Sequence, residues 1–465
     1  MIRDDRSLAG EFIALGLGDV RRERRIRSML ACLAARPGGK VSDVYRNSGQ
    51  RQGAYDLLEH KAVGARAVQL SAGRSVANRC ASFKSVYVAL DGSSLTLTDS
   101  GDSKGFGSIG SRQKGARGMK VLNALALGPS GQTIGVLAQR FWARRHPVCK
   151  GYRPLRKRES RHWHQAFLDA RGALAIEAST TRMHVLADRE GDASLLMQRI
   201  VGTGSDFTIR ANGTRKVLID GDAVNIVEFL ARTKPIACHS VSVPARNGQP
   251  ARIAVLEVRT ARVTLILRDH HTQIRRPLSL TVVWARERVA PRSAKRLDWM
   301  LYTTVEAKTA SEAIDTITRY SYRWRIEDFH RVLKKGGGCV EDSQLRSPAA
   351  VIKWATLHSI VAGRAQRLRD AARSTPDLPA TTELSEPEIE ALLILKEQEK
   401  RRTETITRTG LTLKLAVRWI ADLGGFTATG KSETPPGATV IGRGLERISD
   451  AMHLLAALKA AGKLR

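Results

Sequence analysis

Two short apolar runs, each stopping on an aspartate, limit what this chain can fold into. Ser85-Val-Tyr-Val-Ala-Leu-Asp91 is rich in β-forming residues and too uniformly apolar for a half-exposed strand, so it reads as a buried strand of an α/β layer. His184-Val-Leu-Ala-Asp188 repeats the pattern further along. Acids at the ends of two strands of one sheet can converge on one point, which is how a metal site is built at the edge of such a layer.

The segments around these runs fix the order of the other elements. Residues 1–80 read as helical. Val20, Ile26, Met29, Leu30 and Leu33 recur at helical spacing between Asp19 and Arg36, and Arg21, Arg22, Arg24, Arg25 and Arg27 hold the other face. A second helix is expected near Ser42 and a third after Gly53-Ala54-Tyr55. Residues 100–119, rich in Gly, Ser and Lys, read as a loop, with strands at 120–128 and 131–138. A helix is expected at 162–177, and another near Asp192, which reads as its cap rather than as a catalytic acid. Residues 205–290 alternate in β fashion around an Asn247-Gly248 hairpin signal. Helical patterning returns at 310–335 and 349–369, and after a proline-bearing linker at 374–388 it resumes at 388–401, 410–422 and 442–462. The expected units are 1–80, helical with an arginine-rich face suited to DNA ends; 81–372, an α/β unit with a β-rich insertion at 205–298; and 373–465, helical.

Charge names the class of partner. Lys plus Arg number 77 against 45 Asp plus Glu, a net charge of +32 over 465 residues. That surplus calls for a polyanion, nucleic acid before an anionic membrane surface. The 42% hydrophobic content is enough for a packed core. No apolar run reaches the length of a membrane span, and Met1-Ile2-Arg3-Asp4-Asp5-Arg6 lacks the pattern of a signal peptide. Cys32, Cys80, Cys149, Cys238 and Cys339 form no Cys-x-x-Cys pair, against a zinc finger or a disulfide framework. The expectation is a cytoplasmic, bacterial, nucleoid-associated protein with no membrane partner.

The segment Tyr320 to Lys334 carries the chemistry. Placed on one helix, Arg323 lies at about −60°, Glu327 at about −20° and Lys334 at about −40° from Tyr320. Arg331 falls beside that stripe and is a further candidate for DNA contact. A carboxylate flanked by cations and a phenol suits a scissile phosphate: the acid holds a metal and the cations hold the backbone. Arg323 and Glu327 also have the spacing of an ordinary i,i+4 ion pair, a reading that the two strand-end aspartates weigh against. His330 lies near the edge of the stripe, as a helper or as structure.

Tyr320-x2-Arg323-x3-Glu327-x6-Lys334 resembles the signature of the insertion-sequence-four (IS-four) family of DDE transposases. Other blocks agree in order: Gly53-Ala54-Tyr55, Leu90-Asp91-Gly92-Ser93-Ser94, Asp188-Arg189-Glu190-x-Asp192, Trp299, Leu423-Gly424-Gly425-Phe426 and Gly442-x-Gly444-Leu445. The resemblance implies an α/β chain with an RNase-H-like catalytic core, a β-rich insertion before the third acid, and helical N- and C-terminal domains. It implies Asp91, Asp188 and Glu327 as a catalytic, metal-binding triad for two Mg²⁺, with Mn²⁺ able to substitute. It implies DNA contacts by Tyr320, Arg323, Lys334 and Arg210, and a flipped base stacked on Trp299, whose alternative role is core packing. The implied activity is cut-and-paste transposition: binding of double-stranded terminal inverted repeats, nicking, hairpin formation and opening, and joining of 3′ ends to target DNA by a homodimer in a synaptic complex. Leu454, Leu455 and Leu458 are candidates for the dimer contact. An RNase-H-like nuclease or resolvase and a non-catalytic DNA-binding regulator are the alternatives. The basic segment 143–161 has no counterpart in the resemblance, and no individual residue of the N-terminal region is carried over as a DNA reader.

Overall fold

The computed structural model describes residues 8–99, 101, 103–110, 115–144, 159–213, 215–243, 250–268, 273–291, 296–335, 338–400, 404–427 and 435–463. After a 3-10 turn at Leu8–Glu11 come four helices: α1 (Val20–Ala35), α2 (Val41–Val44), α3 (Ser48–Glu59) and α4 (Ala65–Cys80). Asp19 opens α1 by accepting the Arg21 N–H at 2.7 Å, and Asn47 opens α3 by accepting that of Gln50 at 3.0 Å. Ile26, Met29, Leu30 and Leu33 are fully buried, each stabilising the bundle by roughly 1.5–3 kcal/mol.

Three details differ from the sequence reading. Val20 is exposed, because it is the first residue of α1 and lies before the buried stripe begins. Gly53-Ala54-Tyr55 sits inside α3 rather than ahead of a helix. The arginine face is partly spent on the protein itself: Arg25 donates to the Gln50 carbonyl at 2.7 Å and Arg27 to that of Phe12 at 3.0 Å, leaving Arg21 and Arg24 exposed.

The sheet follows. Its strands are β1 (Ser85–Thr96), β2 (Gly107–Ser108), β3 (Arg117–Leu127) and β4 (Thr133–Trp142), then, after α5 (Arg161–Glu177), β5 (Arg182–Ala187), and after α6 (Ser194–Gly202), β6 (Asp206–Arg210). β7 (Lys216–Ile219), β8 (Asp222–Asn225), α7 (Ile226–Arg232), β9 (Ala237–Val243), β10 (Arg252–Arg268), β11 (Arg275–Glu287) and β12 (Asp298–Thr303) complete it. Among the described residues all belong to one 12-stranded sheet of order β2-β3-β1-β5-β6-β12-β11-β10-β7-β8, with β4 on β3 and β9 on β10. β1 runs antiparallel to β3 and parallel to β5, and β5 parallel to β6. The β-rich segment therefore extends the central sheet through the β6–β12 pair. The Asn247-Gly248 signal and most of the basic segment 143–161 lie outside the described residues.

Helices cover both faces. Trp163, Phe167 and Leu174 of α5 and Leu196 and Met197 of α6 pack against Val86, Val88 and Leu90. The other face takes α9 (Trp324–Lys335), which follows α8 (Ala310–Ser321), and α10 (Pro348–Ser374), with Ile326, Phe329 and Trp354 against Ala89, Val121 and Leu125. The chain ends in α11 (Glu386–Gln398), α12 (Leu413–Leu423) and α13 (Ala438–Ala460). The expected 374–388 linker is shorter than read: a 3-10 turn occupies Ala380–Thr382, and Pro387 sits in the first turn of α11, where its missing N–H costs nothing. Gly444 lets α13 cross α12 closely, since a Cβ there would overlap the Ile420 carbonyl oxygen. Among the described residues no helix is long and apolar enough to cross a membrane.

Candidate active site

The parallel register of β1 and β5 brings the two aspartates together. Leu90 pairs with Ala187, so Asp91 and Asp188 follow side by side; Asp188 lies just past the end of β5, whereas β1 does not end on its acid as the sequence suggests but runs on to Thr96, held by its pairing with β3. Side chains alternate along a strand. Leu90 and Ala187 point into the α5 layer, so both aspartates face the α9 layer. The Gly92 N–H donates to Asp91 Oδ1 at 2.9 Å, and Asp188 accepts the Glu190 N–H at 2.8 Å as it opens a 3-10 turn at Arg189–Gly191.

Glu327 arrives from the opposite layer, in the first turn of α9. The single helix expected from Tyr320 to Lys334 is broken: α8 stops at Ser321, a tight turn follows at Tyr322-Arg323, and α9 starts at Trp324. Tertiary contacts make the break. Gly131, in the β3–β4 turn with φ +76°, leaves room for the Tyr322 ring, and Arg325 donates to the Gly131 carbonyl at 3.3 Å. Buried Asp370 of α10 fixes the same corner, accepting from Thr133 Oγ1 at 2.6 Å and lying 3.7 Å from Arg325.

The break turns Arg323 inward. Its guanidinium donates to Glu327 Oε1 at 2.7 Å and lies 3.6 Å from Asp91 Oδ2, joining the acid of β1 to the acid of α9. It also lies 6.0 Å from the Tyr320 ring centroid and 5.3 Å from that of Trp324. Tyr320 is buried, edge-on to Trp299 at 6.2 Å between centroids. Trp299 is half-buried against the core under α8, whereas Trp324 is 42% exposed and is the aromatic surface at the mouth that the sequence reading passed over. Only its exposure singles it out, and a motif does not report exposure.

Burial pushes the Asp91 carboxyl up to about 7, Arg323 opposing and Asp188 and Glu327 adding to the rise. Glu190 is raised too, by burial and then by Asp188. His330 is structural: burial drives its pKa down to about 3, and its Nε2 accepts from the Asn123 amide at 2.9 Å. Asn123 stands opposite Asp91 in the β1–β3 ladder and accepts from Gln139 at 2.8 Å, so a closed polar network lies beneath the acids.

Of the remaining candidates, Arg210 ends β6 and donates to the Asp298 carbonyl at 2.7 Å beside Trp299. Lys334 is half-buried in the last turn of α9, its pKa lowered by burial. Arg331 is exposed and pairs with Asp328 at 2.8 Å. Asp192 does not cap α6, which begins at Ser194 after Ala193. Its carboxylate instead holds Arg215 Nε at 2.7 Å and the Asn212 N–H at 2.9 Å, so the following loop, rather than the helix, claims it. Leu454 is exposed on α13, while Leu455 packs into the C-terminal core.

Hard oxygen donors are the chemistry a magnesium ion takes, and the guanidinium between Asp91 and Glu327 shows that the pair accepts a cation there. Among the described residues no three carboxylate, imidazole or thiolate groups converge as the side chains stand.

A family model, Transposase DNA-binding, matches residues 5–63. Over that segment the N-terminal helices through α3 are similar to a transposase DNA-binding module. A solved structure described as a piggyBac transposase synaptic complex with hairpin DNA aligns over 77% of this chain and 72% of its own, at 10% identity and a TM-score of 0.38. Numbers that low do not assign a fold or an activity.

Proposed function

We propose that this chain is a cut-and-paste DNA transposase of the IS-four type with an RNase-H-like core, in which Asp91, Asp188 and Glu327 form the catalytic site. The observation that carries the reading is the side-by-side placement of Asp91, within β1, and Asp188, just past the end of the parallel strand β5, facing the helix that brings Glu327. Three antiparallel strands continuing into two parallel ones support the core assignment. The 5–63 match supports DNA as the partner.

The three carboxylates would hold two Mg²⁺ ions, or Mn²⁺, which when bound supply Lewis acidity to the scissile phosphate and its attacking oxygen. The chain's own residues do the rest. Lys334, Arg331 and Arg210 supply positive charge around the cut, and Trp299 and Trp324 offer stacking faces for a displaced base. The Asn123–His330 network keeps Asp91 and α9 in fixed relation without placing a second charge under the acids. Two copies on paired ends would complete a synaptic complex, hairpin chemistry and end joining following at the same site.

The test is strand cleavage on duplexes bearing the terminal inverted repeats, with Mg²⁺. Asp91→Asn, Asp188→Asn and Glu327→Gln should each reduce cleavage to background while end binding persists. Wild-type cleavage by any of the three overturns the assignment.

A further inference from the structure

We propose that Arg323 is a charge gate on the acidic site: without DNA its guanidinium holds Asp91 and Glu327 where a divalent cation would bind, and it gives way when a DNA phosphate draws it off. The inference rests on the reading of these acids as metal ligands. Two observations point to it together. Arg323 uses two different nitrogens for the two acids, Nη2 at 2.7 Å from Glu327 and Nη1 at 3.6 Å from Asp91. And among the described residues no three carboxylates converge, although Asp91 and Asp188 already stand side by side. The group standing between Asp91 and the third acid is this arginine.

The nature of the side chain sets how the gate opens. A guanidinium does not lose its proton in a protein, so raising the pH cannot release the acids; the side chain has to move. Its planar fork pairs with phosphate as well as with carboxylate, so a phosphate of bound DNA is an equivalent partner. Its Nε is buried without a hydrogen-bond partner, so the inward position leaves one donor unsatisfied. The exposed Trp324 ring lies 5.3 Å from the guanidinium carbon and leads from the acids towards solvent. Metal and DNA would then bind with positive coupling, each easing the entry of the other. The DNA-free protein would keep its acids away from free divalent ions.

The test is Mn²⁺ binding to full-length, DNA-free protein, by calorimetry or water-proton relaxation. Wild type, Arg323→Ala and Arg323→Gln are compared, with Asp91→Asn as control and circular dichroism to confirm folding. Gln is neutral and can still donate to Glu327, so it covers the case in which the alanine variant is unstable. Both Arg323 variants should bind Mn²⁺ more tightly than wild type, on the order of tenfold. Affinity at or below wild type in both, with binding still lost in Asp91→Asn, overturns the gate and leaves the metal reading standing. Mn²⁺ binding that ignores Asp91→Asn overturns the metal reading and the gate with it.

Discussion

At neutral pH and without a divalent ion, Asp91 carries a charge that its surroundings resist. Its carboxyl is raised from 3.8 to about 7, first by burial. The folded protein therefore holds that proton more tightly than the unfolded chain does. The stability this lends is complete below pH ~4 and is lost as pH rises through about 7. In chelator, Asp91→Asn should gain on wild type across that interval, by at most about 4 kcal/mol, and the gap should level off above it. Thermal melts of both proteins at a series of pH values measure this. Parallel curves would mean that Asp91 is more open to water than its contacts indicate. The residue types at this site were legible from the chain: two aspartates closing apolar runs and a helical glutamate are local patterns. The inward turn of Arg323 was not, because it depends on a backbone break that no residue between Tyr320 and Lys334 dictates.

That break belongs to the α8–α9 corner and shows where reading by element fails. The apolar periodicity of 310–335 is continuous, so the sequence predicts one helix. The β3–β4 turn, nearly two hundred positions earlier, overrides it by seating the Tyr322 ring on Gly131 and tying Arg325 to the Gly131 carbonyl. A side chain at Gly131 would meet a positive φ and place its Cβ 2.5 Å from Tyr322 Cδ1. Gly131→Ala should therefore cost about 1–3 kcal/mol in stability, by denaturant titration, and cut strand cleavage more than end binding by displacing Glu327. Cleavage that falls only in step with binding would show that the corner does not position the acid. Strands fared better than corners: the two apolar runs recur in β1 and β5, since burial on both faces writes itself into an unbroken apolar run, but only β5 stops at its acid, and β1 runs on to Thr96. The sheet-wide joining of the β-rich segment was not readable, because pairing partners leave no local trace.

Across the whole molecule, protonation has a second consequence. His162 and His184 are driven down to about 4, and His330 and His358 to about 3, chiefly by burial. These rings fold neutral and charge on unfolding, so the stability they lend is present above pH ~6.5 and is lost as pH falls. Between pH ~7.5 and ~5.5 the protein should lose roughly 5 kcal/mol at most, and the loss should shrink in a His330→Gln, His358→Gln double variant. Denaturant titrations at the two pH values check this. The surplus of +32 adds to the trend, because acidification removes the carboxylates that offset it. That surplus announced a polyanionic partner but not where the cations lie, and many of them turn inward, most of all along α10. Over its 27 residues this helix buries Lys353, Arg364, Arg367 and Arg369. Three of the four take partners from before or after the catalytic-site elements: the Leu58 and His60 carbonyls hold Lys353 at 2.6 and 3.0 Å, Glu11 and Glu383 hold Arg367 at 3.6 and 2.9 Å, and Glu388 holds Arg364 at 2.6 Å. Removing either end strands a cation in a dry interior, a penalty of several kcal/mol. A protease or a rising temperature thus meets the first and last thirds of the polypeptide as one cooperative body, and a fragment cut at either side of α10 inherits charge it has no means to neutralise.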